Sequence, residues 1–198
     1  MMISETDKSL DRVDRTLVGA SGPGTVDVSH VNEDMLDLMN KARASRNIAP
    51  LLSHTALVHS AVAHSQDMAN YNKLSHYGLA VYSTWADRCL AAGYPDASLM
   101  NIGENVGGGQ TSAVQLIGDY RQSPGHWAAI MNPEFQHTGS AAATGSGGWC
   151  YWTTDFGYGA PDPGPSPTPD PIVPPVPPIP TPSPKKPRPW WWPRWLSW

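Results

Sequence analysis

Gly103-Glu104-Asn105-Val106-Gly107-Gly108-Gly109, followed by Ser112-Ala113-Val114-Gln115 and then Ser123-Pro124-Gly125-His126-Trp127, is the stretch on which the reading of the fold turns. Its glycines are too dense for a helix, so the segment reads as a glycine loop that carries Glu104. Ser112-x-x-Gln115 is a capping box, opening a helix that runs to about Arg121. Ser123-Pro124-Gly125 breaks that helix, and His126 to Met131 makes one further helical turn before Asn132-Pro133 stops it.

Toward the N-terminus, Val31, Met35, Leu38, Met39 and Ala42 recur at helical spacing. They predict a first helix, with Ser29 as its N-cap and its end near Ser45 to Asn47. After Ala49-Pro50, an extended segment near Ala49 to Leu52 leads to a second helix. Ser53 caps it, Leu57, Ala61 and Met68 form its stripe, and it ends near Tyr71. His76 falls in the loop behind it. A third helix, about Thr84 to Ala92, ends at Gly93, which suits a left-handed position. Toward the C-terminus, Thr138 to Thr144 and Trp149 to Phe156 flank Gly145-Ser146-Gly147-Gly148 and predict a β-hairpin. Helices first and strands last give an α+β class, with helices packed on a small antiparallel sheet.

Composition bounds the domain. Of the 198 residues 21 are proline, and 16 of these lie after position 160. The foldable part is therefore 30–158, one domain large enough for a core. Residues 1–29 read as a disordered leader, 159–184 as a Pro-rich polyproline II linker, and 185–198 as a basic tip. The formal charge is -4; Lys185, Lys186, Arg188 and Arg194 contribute four positive charges there, so the remainder carries -8. No apolar run of membrane-spanning length is present, and the N-terminal residues lack the apolar region of a Sec signal peptide. Cys89 and Cys150, the only cysteines, have no zinc-ligand spacing and are either a disulfide or two buried thiols.

His76, Glu104 and His126 are the titratable groups that sit beside turn-forming residues. Two imidazoles and a carboxylate form a set for zinc or another divalent metal, with a position left open for water. The same groups also make a polar pocket that hydrogen-bonds a ligand without metal, and local chemistry leaves both open. His30, His54, His59, His64 and His137 read as structural or solvated. His54, His59 and His64 come at five-residue steps and do not share a helix face.

The ordered series His64-Ser65-Gln66-Asp67-Met68-Ala69, Ser75-His76, Ala91-Ala92-Gly93-Tyr94, Gly103-Glu104-Asn105-Val106, Ser123-Pro124-Gly125-His126, Ile130-Met131-Asn132-Pro133 and Tyr151-Trp152 with Phe156-Gly157 resembles the bacterial branch of the CAP superfamily. This superfamily comprises the cysteine-rich secretory, antigen 5 and pathogenesis-related proteins, also called SCP-like. The resemblance implies an α-β-α sandwich, with a cleft in which His76, Glu104, His126 and Asn105 line the ligand site. The second acid of eukaryotic members has no match; Asp119 is nearest, but it precedes Tyr120. The resemblance also implies an extracellular or cell-envelope location and a module that binds lipids or envelope components, without establishing an enzyme.

The tip Trp190, Trp191, Trp192, Arg194, Trp195 and Trp198 resembles Trp/Pro-rich cationic antimicrobial peptides. Trp favours the bilayer interface and each cation contributes about 1 kcal/mol near an anionic leaflet, so docking at an anionic membrane surface is expected, with no specific nucleic-acid partner. The leading expectation is a CAP-type binding module acting at an envelope. Its alternatives are a zinc-assisted hydrolase using the same cleft and an interaction scaffold working through the Pro-rich segment.

Overall fold

The structure is a computed structural model that describes residues 28–95 and 97–159. The expected leader up to position 27, the Pro-rich linker from position 160 and the Trp-rich tip lie outside the described residues. The element order is α1 Val31–Ala44, β1 Leu52–Ser53, α2 Thr55–Tyr71, α3 Trp85–Ala91, β2 Ile102–Gly108, α4 Ala113–Gln122, α5 Pro124–Ile130, β3 His137–Thr144 and β4 Cys150–Gly157. The strands form one sheet in the order β1-β3-β4-β2. Its long strands are antiparallel, but β1 runs parallel to β3, so the expected antiparallel sheet is a mixed one. This follows from the connection: β1 leads into α2, and β3 comes back to it only after the rest of the fold.

The glycine-rich segment is a strand, not the expected loop, and the alternation of its residues explains why. Ile102 packs with Ala56, Leu57 and Cys89, and Val106 packs with Met68 and Ala69, so the even positions face α2 and α3. The odd positions face α4, α5 and the segment after α5, where neighbours come too close for side chains. A Cβ on Gly103 would lie 2.7 Å from Phe135, and one on Gly107 would collide with Leu116. Glycine here is a packing requirement of a paired strand and does not signal a turn.

Two helical layers therefore enclose the sheet. On one side Met35, Leu38, Met39, Leu116, Ile117, Ile130, Trp152 and Phe156 make the larger core. On the other, α2 lies so close to β3 that a Cβ on Gly139 would meet the Leu57–Val58 backbone. This is the α-β-α sandwich that the resemblance implied.

The helix starts differ in detail from the sequence reading. α1 begins at His30, whose side chain makes no cap hydrogen bond, instead of at Ser29. Glu33 and Asp34 in its first turn, and Lys41 and Arg43 in its last, complement its dipole. α2 is capped by His54 in place of Ser53, Nδ1 of the imidazole accepting from the Ala56 amide at 3.2 Å. Ser53 belongs to β1, where its hydroxyl accepts from Asn32. α3 has a complete capping box, Thr84 with Asp87, and Gly93 follows at φ +93° as expected. At α4, Ser112 accepts from the Gln115 amide, but Gln115 reaches Thr111, so only half of the expected box forms.

Candidate functional site

The site forms where β2, an edge strand, meets α3 and the loop between α2 and α3. That loop is pinned at both ends. Asp67 of α2 accepts from the Leu79 and Ala80 amides at 2.6 and 3.0 Å. Arg88 of α3 donates to the carbonyls of His76 and Ser83, each at 3.2 Å. His76 is thus held over Glu104 by hydrogen bonds to its own backbone.

Glu104 is the hub. His76 Nδ1 donates to Oε1 at 2.9 Å, Arg88 Nη2 donates to Oε2, and His64 Nε2 lies 3.9 Å from Oε2. The Glu104 side chain is 1% exposed and that of His76 is 43% exposed. With Nδ1 committed to the carboxylate, Nε2 is the His76 ring atom left for a ligand. His64, read from sequence as structural or solvated, is fully buried, and Nε2 donates to the Ser75 carbonyl at 2.7 Å. Burial lowers its pKa, and the Arg88 charge adds to this against the pull of Glu104. Neutral His64 therefore fixes the chain just before His76.

A shallow pocket of about 200 Å³ opens here, lined by His76, Tyr77, Trp85 and Glu104. The Tyr77 ring stacks on Tyr82 at 5.3 Å, and Trp85 meets His76 edge-on at 6.0 Å. The indole of Trp85 is anchored by donation to the Ile102 carbonyl at 3.1 Å.

Two of the three expected residues, His76 and Glu104, meet directly. His126 stands on the other side of β2, on α5. Its carbonyl accepts from Asn105 Nδ2 at 3.0 Å, and its ring packs on Tyr120 at 4.8 Å. Burial lowers its pKa, with the neighbouring His76 as a second, smaller cause. Asn105 therefore positions α5 and is itself buried. Asp119 pairs with Gln110 at the surface.

Of the residues expected as a metal set, His76 and Glu104 are in contact and His126 lies on α5. Among the described residues no group of three or more His, Cys, Asp or Glu side chains is arranged to hold a metal ion. The Arg88 guanidinium and the His76 N–H engage both oxygens of Glu104. Of the two readings of the cysteines, the structure has the buried thiols and not the disulfide. Cys89 and Cys150 are both free and buried, in separate clusters. Burial raises both thiols, that of Cys150 to about 11.

Sequence reasoning missed two residues of the site. Arg88 bears no motif, and its position one turn into a capped helix was the only signal available. Asp155 lies opposite Glu104 in the β2–β4 ladder. It is fully buried and neither carboxyl oxygen makes a hydrogen bond of good geometry. Desolvation first, and the Glu104 charge second, push its pKa well above the ordinary carboxylate range, with Ser60, Arg88 and Cys89 opposing.

The profile of the cysteine-rich secretory protein family (CAP) matches residues 36–156. The uncharacterized protein YkwD of Bacillus subtilis is 30% identical over 126 residues, which are 64% of this chain and 47% of that protein. Among solved structures, an extracellular protein containing an SCP domain from Bacillus anthracis aligns with a TM-score of 0.57 at 24% identity, over 70% of this chain and 45% of that one. An outer surface protein of Borrelia burgdorferi aligns with a TM-score of 0.56 at 18% identity, over 65% of this chain and 94% of that one. The chain spans less than half the length of YkwD and of the Bacillus anthracis protein. At these identities the structural matches speak for the fold alone.

Proposed function

The chain belongs to the cysteine-rich secretory protein (CAP) family, and from that premise we propose that it is a binding module of the cell envelope or its exterior. The observation that carries this reading is the engagement of Glu104. A general base must come within about 2.6–3.2 Å of the proton it takes. The Glu104 carboxylate is 1% exposed and already bonded by His76 and Arg88. A hydrolase built on it would have to break both contacts in each turnover. The two thiols are buried and raised, so neither is an activated nucleophile. What the pocket offers is recognition: one imidazole nitrogen, two aromatic surfaces and the backbone of β2.

Envelope location is supported by the descriptions of similar proteins, one extracellular and one an outer surface protein. A further relative, YlbC of Bacillus subtilis, is described as an uncharacterized membrane protein. No helix among the described residues is long and apolar enough to cross a membrane. The Trp/Arg tip adds a second contact in this proposal: Trp190, Trp191, Trp192, Trp195 and Trp198 enter the headgroup layer while the basic residues meet anionic groups.

Sedimentation of the purified full-length protein with washed bacterial envelopes tests the reading. Wild type is expected to co-sediment saturably, and a His76→Ala/Tyr77→Ala variant to lose the saturable part. Removing 159–198 is expected to abolish binding to anionic vesicles. Unchanged sedimentation of the double variant would remove the pocket from the account.

A further inference from the structure

β2 is an edge strand, and its register shows which of its backbone groups face outward. Gly109 donates to Cys150 at 2.8 Å and Tyr158 donates to Asn101 at 3.1 Å, so both ends of the β2–β4 ladder are pinned through the odd-numbered residues that flank β2. With the pairing Ile102↔Gly157 through Gly108↔Tyr151, hydrogen-bonded pairs alternate, so Gly103, Asn105 and Gly107 spend their N–H and C=O on β4. Ile102, Glu104, Val106 and Gly108 turn theirs toward the free edge. Trp85 supports this assignment, because its indole caps the outward carbonyl of Ile102.

Along that edge one residue lies open in the pocket. Ile102 is closed by the Trp85 indole and Val106 is buried. Glu104 is half-buried as a residue although its side chain is 1% exposed, so the surface it offers is its main chain. It lines the same pocket as His76, Tyr77 and Trp85. The pocket thus presents one strand residue's N–H donor and C=O acceptor together, pointing the same way, with aromatic surfaces beside them.

We propose that this open edge at Glu104 binds the main chain of a short extended peptide, which adds to β2 through one residue. A peptide residue in β conformation supplies a carbonyl to the Glu104 N–H and an N–H to its C=O at the spacing the edge dictates. Side chains alternate along a strand, so the residues flanking the bonded one send theirs to the opposite face, and one face carries Tyr77 and Trp85. The paired, co-directional donor and acceptor favour a peptide over a sugar, whose hydroxyls match isolated groups equally well. The engaged Glu104 carboxylate has its part in this: held by His76 and Arg88, it fixes the backbone of its own residue. The inference rests on the binding-module reading and names the ligand class of that pocket.

Amide hydrogen exchange on isotope-labelled full-length protein tests it, with blocked tetrapeptides bearing Ala, Leu, Tyr or Lys at the central positions as probes. An amide that exchanges only in the free protein slows by about tenfold when free peptide stands at ten times its midpoint. The expected result is that slowing at Glu104, without comparable slowing at Asn105, and its loss when the bonded peptide nitrogen is methylated. A peptide that binds without protecting Glu104 overturns the proposal. So does protection of Glu104 by a chitin-type oligosaccharide when no peptide protects it, or failure of every peptide to bind. Envelope sedimentation that still depends on His76 and Tyr77 would then leave the module reading standing and remove only the peptide; loss of both would remove the two together.

Discussion

Glu104 and Asp155 face each other directly across β2 and β4, on the side of the sheet covered by α2 and α3. Directly opposed carboxylates repel when both are ionised. The protein separates their roles: Glu104 is paired with Arg88 and His76, while Asp155 has no well-formed hydrogen bond and burial pushes its pKa well above the ordinary carboxylate range. One acid is the ion-paired hub of the pocket, and its neighbour across the ladder is a buried carboxyl with a raised pKa.

Because the folded pKa of Asp155 is raised, the folded state keeps a proton that the unfolded chain releases above about pH 4. This group therefore costs stability as pH rises from there toward its folded value, by at most about 1.4 kcal/mol per pH unit. Asp155→Asn keeps the shape and cannot ionise. The melting temperature of the variant minus that of wild type is expected to grow as pH rises above about 4 and to level off once the folded value is passed. A difference that does not change with pH would show that Asp155 is not protonated in the fold.

Arg88→Met removes the guanidinium and leaves Glu104 as a buried charge with only His76 opposite. Breaking a buried pair from one side costs about 3–5 kcal/mol, and denaturant unfolding is expected to show a loss of this order. The loop should also loosen, since Arg88 holds the His76 and Ser83 carbonyls. Adding Glu104→Gln is expected to recover part of the loss, because no uncompensated charge then remains.

Arg43 does in the larger core what Arg88 does near the pocket. Fully buried at the end of α1, it donates to the carbonyls of Ala49, Ile130, Asn132 and Phe135 at 2.7 to 3.1 Å. Burial lowers its pKa from the ordinary arginine value. Arg43→Met would strand these carbonyls at about 1–3 kcal/mol each. The expected outcome is failure to fold, or a melting temperature far below wild type, by circular dichroism; Arg43→Lys should be intermediate.

The buried thiols make a chemical prediction. Cys89 and Cys150 are expected to resist alkylation in the native protein and to take up two equivalents after unfolding without reductant, read by mass spectrometry. Absence of uptake before reduction would mean that they pair.

The imidazoles give a pH signature on the acid side. His64 and His126 both have lowered pKa values, so stability they contribute is complete above the unfolded histidine value of about 6.5 and falls as pH drops below it. Nuclear magnetic resonance titration should place both imidazoles below that value.

Much of this was legible in the chain itself. The helical stripes of α1 and α2, the left-handed Gly93, the Pro124 break and the final hairpin are local or periodic features, and periodicity is written residue by residue. The ordered motifs from His64 to Gly157 carried the family and, with it, the expectation that His76 and Glu104 line one cleft. Tertiary structure decided the rest, because each of those points depends on what approaches from elsewhere. Only a neighbour at Leu116 and Phe135 makes the glycines of β2 a packing device in a strand. Only the docking of α3 brings Arg88 onto Glu104 and makes the buried ion pair. Asp155 is an ordinary acid in the sequence; three layers closing around it, with water excluded, raise its pKa.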